Sequence, residues 1–598
     1  MFVGGFYHLA QAEYNLPKAN REDVVSLRTQ RLLRGIFIDK RSFLWYTGYN
    51  RFFLGGDIKM KHFDSLGVMI DCSRDAVPNV EGLKRFFDVI AKMGYNVAML
   101  YTEDTYEVEN EPYFGYQRGR YSMEELRELD RYAAEKGIEL IPFIQTLAHL
   151  ATLKRWRAYR HKVFDIDDIL LVDEPRTYEL IENMFKTLAK TFTSRRVHLG
   201  YDEAHHIGLG KYLDEHGFTD RYALLLKHLN RVCEIARKYG FDTMLLANDL
   251  FFNLAPGVFC TEDVKEFPAE IVENVPKDCA TVYWDYFATD VKRYDSMIKS
   301  SKNLSPNVWF SGGAWTWETF SPHNRYSIKR NAVAIPCCIE NGVREAFFTL
   351  WGDNGGECAY EAVLPALMHI AALADDMSEA EMKAKFYEIT GEQFDSFMDL
   401  DLPNYIFGED VPVESPYFQH SACNYCKTHL YDDPFLGAMS ANLAADDASL
   451  LDAYAKRLHA HAKESKTYGL LYETMACLSD VLFKKLLLAK KTRALYEAGD
   501  KEGLRSLAET DYAECIERVN VFYKAFRKQW YAINKTYGFE IHDARLGGLA
   551  RRLESCRERL LSYANGEIAE IAELEEKLLP MKDTYIPSWA EMISANIV

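Results

Sequence analysis

The stretch HLGYDEAHH, His198 to His206, sets two carboxylates side by side directly after a short apolar run. Two neighbouring ionised carboxylates repel, so burial of the pair raises one pKa and keeps one member protonated near neutrality. Glu203 would then be a general acid beside an ionised Asp202. The dipeptide equally fits the first turn of a helix, where carboxylates cap backbone N–H groups. His205 and His206 follow at metal-ligand distances, but a helix start explains them as well.

Chemistry of this kind needs a scaffold that presents it at an open face. Between about residues 66 and 375, short β-branched or apolar runs alternate with amphipathic helical stretches, the pattern of repeated βα units. The runs are Leu66 to Cys72, Asn96 to Tyr101, Glu139 to Ile144, Val197 to Gly200, Thr243 to Ala247, Thr281 to Trp284, Asn307 to Ser311 and Glu345 to Trp351. Helices are predicted over Val80 to Met93, Ser122 to Lys136 and Tyr222 to Tyr239. Eight such units in about 300 residues have the size of a closed (β/α)8 barrel, whose site lies at the C-terminal ends of the strands. The runs are followed in order by Arg74, Glu103 and Asp104, His149, Asp202 and Glu203, and Asp249. Trp284 and Asp285 come next, then Trp315 and Trp317 after a Gly312-Gly313 turn, then Trp351 and Asp353. Carboxylates bind hydroxyls and indoles stack on the C–H faces of a ring, so this is the composition of a sugar site. Buried tryptophan is more often core, and Trp309 and Trp317 are assigned there.

The flanks have a different texture. The first 65 residues are too few for a full domain, and Gly35 to Tyr49 could make a small sheet, so 1–65 reads as a partial α/β segment on a barrel spanning 66–375. Residues 376–598 read as a linker, including the irregular Leu400 to Gly437, and an all-helical domain. Leu471, Met475, Leu478, Leu482 and Leu486 form one apolar stripe, and Val519, Phe522, Phe526 and Ile533 another, as in an antiparallel bundle. A net charge of −18 argues against nucleic acid and anionic membrane surfaces as partners. No apolar run approaches a membrane span, and Met1 to Asn15 lacks a basic cluster before an apolar run, so a cytoplasmic location is expected. The 12 cysteines are scattered, and Cys423 with Cys426 has no second pair at zinc-finger spacing, so free buried thiols are expected.

HLGYDEAHH resembles the His-x-Gly-x-Asp-Glu signature of the β-N-acetylhexosaminidases of glycoside hydrolase family 20. GVMIDCSR, ending at Arg74, is similar to that family's first strand, and MLYTEDT and IPFIQTLAHL to its second and third strand ends. VYWDYF, Val282 to Phe287, resembles its Tyr-x-Asp, and LWGDNGGE its final Trp-x-acid element. With the helical C-terminal domain, the chain looks most like intracellular bacterial members that lack a complete N-terminal domain. The resemblance implies removal of terminal β-linked GlcNAc or GalNAc by substrate-assisted catalysis, with the substrate's 2-acetamido oxygen as nucleophile and no cofactor or metal. It implies that Asp202 orients the acetamide and that Glu203 protonates the leaving oxygen and then activates water. Tyr283, in its Tyr-x-Asp with Asp285, would donate to the acetamido oxygen. Arg74 and Asp353 would read hydroxyls, Trp315 and Trp351 would form walls, and His149 with Asp104 would tune Glu203, with Glu103 an alternative to Asp104. Glu357 would support the site rather than touch substrate. The partner is then an oligosaccharide or amino-sugar glycoside, with a homodimer as the assembly to test for.

One departure stands out. Relatives carry a tryptophan two residues before an acid after the fifth strand, whereas LLANDLFF has Ala247 before Asp249. Phe251, Trp309 or Trp317 could replace the missing wall, or the acetamide pocket is wider. Two other classes remain open: a metal-dependent hydrolase using His198, Asp202 and His205, and a non-catalytic sugar-binding relative.

Overall fold

The structure, a computed structural model, describes residues 62–254, 263–409, 424–437, 448–579 and 588–596. The expected N-terminal α/β segment, including Gly35 to Tyr49, therefore lies outside the described residues except for its last four, as does Cys423.

Eight parallel strands close into a barrel in sequence order. They are β1 (Ser65–Asp71), β2 (Val97–Tyr101), β3 (Glu139–Phe143), β4 (Arg196–His198), β5 (Thr243–Ala247), β6 (Cys279–Trp284), β7 (Val308–Gly313) and β8 (Glu345–Leu350). Parallel pairing of β1 with β8, Ser65 opposite Glu345 through Ile70 opposite Leu350, completes the ring. The (β/α)8 fold expected from the alternation is thus present. Side chains alternate in and out along each strand. Met69, Val97, Met99, Ile141, Phe143, Leu245, Ala280, Val282, Trp309 and Phe347 fill the interior. At the floor, Arg196 pairs with Glu139 and Glu345 and lies over the Trp309 ring.

Long helices around the barrel begin at sequence-coded caps. They are α1 (Val80–Met93), α2 (Met123–Glu135), α3 (Pro175–Thr191), α4 (Arg221–Lys238), α5 (Val291–Leu304) and α6 (Asn324–Glu340). Asn79 caps α1, which ends at Gly94 in the left-handed region (φ 116°). Ser122 and Glu125 form a reciprocal capping box on α2, and Asp220 caps α4. After β8 run α7 (Leu364–Ala374) and α8 (Glu379–Thr390), and the chain turns wholly helical.

The C-terminal region contains α9 (Tyr425–Tyr431), α10 (Ser449–Glu464), α11 (Gly469–Lys485), α12 (Leu488–Glu497), α13 (Ala513–Ile533) and α14 (Phe539–Ala564). The apolar stripe from Leu471 to Leu486 is buried along α11, and Val519, Phe522, Phe526 and Ile533 are buried along α13. The helices and barrel belong to one compact unit. Phe320, beyond β7, meets Phe522 and Phe526 edge-on at 5.3 Å from each centroid. Burying such rings contributes roughly 1.5–3 kcal/mol each. Among the described residues no helix is long and apolar enough to cross a membrane. The cysteines described are all buried free thiols.

Candidate active site

The inward-facing series of each strand continues into the loop beyond it, and these loops build the mouth. β4 leads through Gly200 to Tyr201, Asp202 and Glu203; Tyr201 and Glu203 both adopt left-handed backbone (φ 74° and 58°). Glu103 after β2 (φ 46°) and His149 after β3 (φ 56°) do the same. Such conformations cost energy in non-glycine residues and persist only where the surroundings enforce them. Their concentration beyond three adjacent strands marks this end of the barrel. Gly200 is required at its position: a Cβ there would lie 2.0 Å from the Gln145 amide oxygen.

Asp202 and Glu203 have opposite electrostatic surroundings. Gln145 Nε2 donates to Asp202 Oδ1 at 2.8 Å, and His149 Nε2 lies 3.1 Å from Asp202 Oδ2. Burial works to raise the Asp202 pKa, but the His149 charge and these contacts outweigh it and hold the carboxyl well below its usual range. His149 is itself buried, which disfavours its cation, yet Asp202 and Glu203 push it up to about 10. Glu203 Oε2 is 3.6 Å from His149 Nε2. For Glu203 burial dominates: together with the negative charge of Asp202 and Asp353 it raises the carboxyl to about 7. At neutral pH the trio therefore holds an ionised Asp202, a cationic His149 and a Glu203 poised between its two forms. Asp249 Oδ2 accepts the Glu203 backbone N–H at 3.0 Å and so supports the strained residue.

A second cluster faces this trio. Arg74 Nη1 contacts Glu103 Oε1 at 3.1 Å and Asp71 Oδ2 at 3.3 Å, and Nη2 lies 3.6 Å from Asp353 Oδ1. Its guanidinium lies 5.0 Å from the Tyr101 centroid and 5.4 Å from that of Trp351. Tyr101 donates to Glu103 Oε1 at 3.1 Å and accepts from Gln145 Nε2 at 3.0 Å, which links the two clusters. Burial raises Glu103 to about 7. Of the two acids after β2, Glu103 is the one in the mouth. Asp104 is turned aside to Arg118 Nε at 3.2 Å, so the expected pairing of His149 with Asp104 does not form.

The aromatic wall also differs from expectation. Tyr283 is on the outward face of β6, packed against Tyr294 and Phe310, and does not reach the mouth. Its hydroxyl donates to Asp285 Oδ2 at 3.0 Å. Asp285 is equally turned away, with Arg293 Nε at 2.9 Å from Oδ2 and the backbone N–H groups of Phe287 and Ala288 at 2.9 Å from Oδ1. Both residues brace the turn that presents Tyr286 inside. Tyr286 accepts from Trp351 Nε1 at 3.0 Å, stacks on Trp284 and lies within electrostatic reach of Asp202. Trp315 is 1% exposed, its indole N–H spent on the Trp317 carbonyl at 3.0 Å and its face stacked on Trp317 at 3.8 Å. Trp315 is thus backing rather than surface, and Trp317 meets Tyr286. Trp309 is in the barrel core.

Tyr101, Gln145, Asp71 and Tyr286 are members of the mouth that sequence reasoning missed. The alternation of strands would have found them, since Val282, Trp284 and Tyr286 run on one face. His198 stacks on Phe143 at 3.6 Å, and its Nδ1 accepts the Gly200 N–H at 3.1 Å; burial lowers its pKa to about 3. That bond occupies the Nδ1 lone pair, and among the described residues no cluster of three or more His, Cys, Asp or Glu side chains is arranged to hold a metal ion.

A ring of carboxylates and aromatic faces at the C-terminal mouth of a (β/α)8 barrel defines a carbohydrate-active barrel protein. Residues 63–245 match the glycosyl hydrolase family 20 catalytic domain, and residues 395–593 match the glycoside hydrolase 20C C-terminal domain. The chain belongs to glycoside hydrolase family 20. Hexosaminidase D of Bos taurus is 23% identical over 254 residues, 41% of this chain and 68% of that protein. A beta-hexosaminidase of Vibrio furnissii is 27% identical over 177 residues, 24% of this chain and 29% of that protein. A solved exo-β-N-acetylglucosaminidase of Vibrio harveyi, in complex with N-acetylglucosamine, has 17% identity and a TM-score of 0.41, covering 57% of this chain and 58% of that one. The chain thus spans under a third of the Vibrio furnissii protein and over half of the Vibrio harveyi one.

Proposed function

We propose that the chain is a retaining exo-β-N-acetylhexosaminidase that releases terminal β-linked GlcNAc or GalNAc through an oxazolinium intermediate. The observation that carries this reading is the divided protonation of adjacent acids, Asp202 held ionised by His149 and Gln145 and Glu203 raised to about 7 by burial. In the first step the acetamido oxygen bonds to the anomeric carbon as the glycosidic C–O bond breaks. Glu203 gives its proton to the departing oxygen, and Asp202 takes the hydrogen bond of the acetamide N–H as positive charge builds there. In the second step water adds to the anomeric carbon, returns a proton to Glu203, and the ring of the intermediate opens. Tyr286, rather than Tyr283, is the hydroxyl that faces the acetamido oxygen in this scheme. Arg74 and Asp353 bind sugar hydroxyls, and Trp351 is the wall. The test is initial rates on p-nitrophenyl β-glycosides of GlcNAc, GalNAc, glucose and galactose, with and without a chelator; dependence on an added metal would favour the metal-dependent hydrolase.

A pH dependence follows from the same pair. Glu203 must be protonated for the first step, so kcat/KM is expected to fall as pH rises through about 7. Asp202 must be ionised, and its depressed pKa puts no limb near neutrality. The His149 charge lowers the Glu203 pKa, so His149→Phe is expected to move the alkaline limb to higher pH while slowing turnover. A pH–rate series on both enzymes checks this; a limb displaced to lower pH in the variant would contradict it.

The acyl pocket gives a second expectation. Ala247 faces inward at the top of β5 next to Val282. Of the aromatics that could replace an indole there, Phe251 packs in the outer core, Trp309 lies deeper in the barrel, and only Trp317 borders the mouth. N-propionyl and N-glycolyl substrates are expected to be tolerated, and Ala247→Trp to discriminate against them by about 1–3 kcal/mol more, roughly 5- to 150-fold in relative kcat/KM. Rejection of both larger acyl groups by the wild type would show that another side chain fills the space.

A further inference from the structure

The loop beyond β8 turns on three successive residues in left-handed backbone: Asn354 (φ 62°), Gly355 (φ 121°) and Gly356 (φ 61°). It carries Asp353 on the mouth side and Glu357 on the other. On the mouth side the Gly352 N–H donates to Asp71 Oδ2 at 2.9 Å and the Glu318 N–H to the Asp353 carbonyl at 3.0 Å. On the far side the helical region supplies a close set of contacts. Lys427 of α9 donates to Glu357 Oε2 and to the Asn354 carbonyl, each at 2.8 Å. Arg545 of α14 donates to Glu357 Oε1 at 2.9 Å and to the same carbonyl at 2.7 Å. His542, with its Nε2 protonated, donates to the Gly355 carbonyl at 3.0 Å; its pKa is lowered by burial to about 4, so it acts as a neutral ring. The side chains of Lys427 and Glu357 are fully buried.

Two features make this more than an ordinary domain contact. A buried ion pair pays a large desolvation cost, recovered only when its geometry is good and its remaining donors and acceptors are satisfied. Here two cations from separate helices take both oxygens of one carboxylate and share one backbone carbonyl. The turn is also closely packed on both sides: Gly355 lies against the Arg545 guanidinium, and a Cβ on Gly356 would meet Ala76 Cβ at 2.6 Å and the Arg74 carbonyl oxygen at 2.7 Å. A shift of the three helical donors is therefore passed to Asp353 through only the three residues, Asn354, Gly355 and Gly356, that separate it from Glu357.

We propose that Lys427 and Arg545 are positioning residues for substrate binding, and that the C-terminal helical region sets sugar affinity by fixing Asp353 through Glu357 and the Asn354 carbonyl. This rests on the reading of Asp353 as a hydroxyl-binding group. Displacing a recognition group by a fraction of an ångström weakens binding more than it slows chemistry at Glu203. Lys427→Met is thus expected to raise KM for p-nitrophenyl β-GlcNAc about tenfold while kcat changes less than about threefold. In an Asp353→Asn background the same substitution is expected to add little, because the group it positions is already lost. Where Lys427→Met does not fold, Arg545→Gln carries the same test with the buried Lys427–Glu357 pair intact. Additive effects of the two substitutions, or an unchanged KM in a folded Lys427→Met or Arg545→Gln protein, would overturn the proposal. If Asp353→Asn alone leaves KM unchanged, the hydroxyl-binding reading of Asp353 fails, and this proposal with it.

Discussion

Asp202→Ala and Glu203→Gln are each expected to lower turnover of an unactivated glycoside by a factor on the order of 10² or more, for different reasons that can be separated. Glu203 supplies a proton to the leaving oxygen, so a leaving group that departs readily as its anion needs little from it. On such a substrate the first step of Glu203→Gln should recover most of the wild-type rate, with the later attack of water left slow. Asp202 acts on the acetamide, whose charge builds whatever the leaving group. Its loss should be felt equally on activated and unactivated substrates. Pre-steady-state rates on a series of aryl β-GlcNAc glycosides of graded leaving-group acidity measure both. A steep slope for Glu203→Gln and a flat one for Asp202→Ala are expected; parallel slopes would reverse or cancel the assigned roles. The structure makes the division physical, since Asp202 is held by Gln145 at 2.8 Å and His149 at 3.1 Å, while Glu203 sits 3.6 Å from the same ring.

The second large effect concerns the substrate itself. If the acetamido oxygen is the nucleophile, replacing the 2-acetamido group by hydroxyl removes the attacking atom rather than a binding contact. An intramolecular nucleophile held near its target has a high effective concentration, so kcat/KM on p-nitrophenyl β-glucoside is expected to be about 10³-fold or more below that on the GlcNAc analogue. GlcNAc and GalNAc glycosides differ only at a remote hydroxyl and should differ far less. Comparable rates on the glucoside would mean that a carboxylate of the mouth attacks directly. Asp202 and Glu103 would be the groups to examine, by trapping with a 2-fluoro sugar.

Strand positions were legible in the sequence because alternation is a strict geometric rule, and β5 spans Thr243–Ala247 as read. The same rule, carried past strand ends, separates Tyr286 from Tyr283: the turn braced by Asp285 keeps the inward series going for one more residue. A motif of the form Tyr-x-Asp contains no such direction, and it led to the outward tyrosine. After β2 the inward series Val97, Met99, Tyr101 runs on to Glu103 even though that residue takes left-handed backbone, so the same rule separates it from Asp104, which turns to Arg118. Trp315 and Trp317 stack on each other, so which indole is covered depends on packing from Tyr326 and Phe287 that spacing does not encode. Glu357 could be identified as a supporting group. Its partners, 70 and 188 positions further along, could not.

That last separation has a consequence for how the protein is made. All eight strands of the barrel and both adjacent acids leave the ribosome before α9, and Arg545 emerges 188 residues after the carboxylate it holds. At roughly 5–20 residues per second the interval is about 10 to 40 s. Over that time the nascent chain can close its barrel around the Asp202, His149 and Glu203 trio while the loop carrying Asp353 has at most Lys427, 70 residues on, and not yet Arg545 to anchor it. If Lys427 and Arg545 position Asp353 as proposed, the site is finished last, by a segment remote in sequence, and the newborn barrel would hold sugar poorly until its helices arrive.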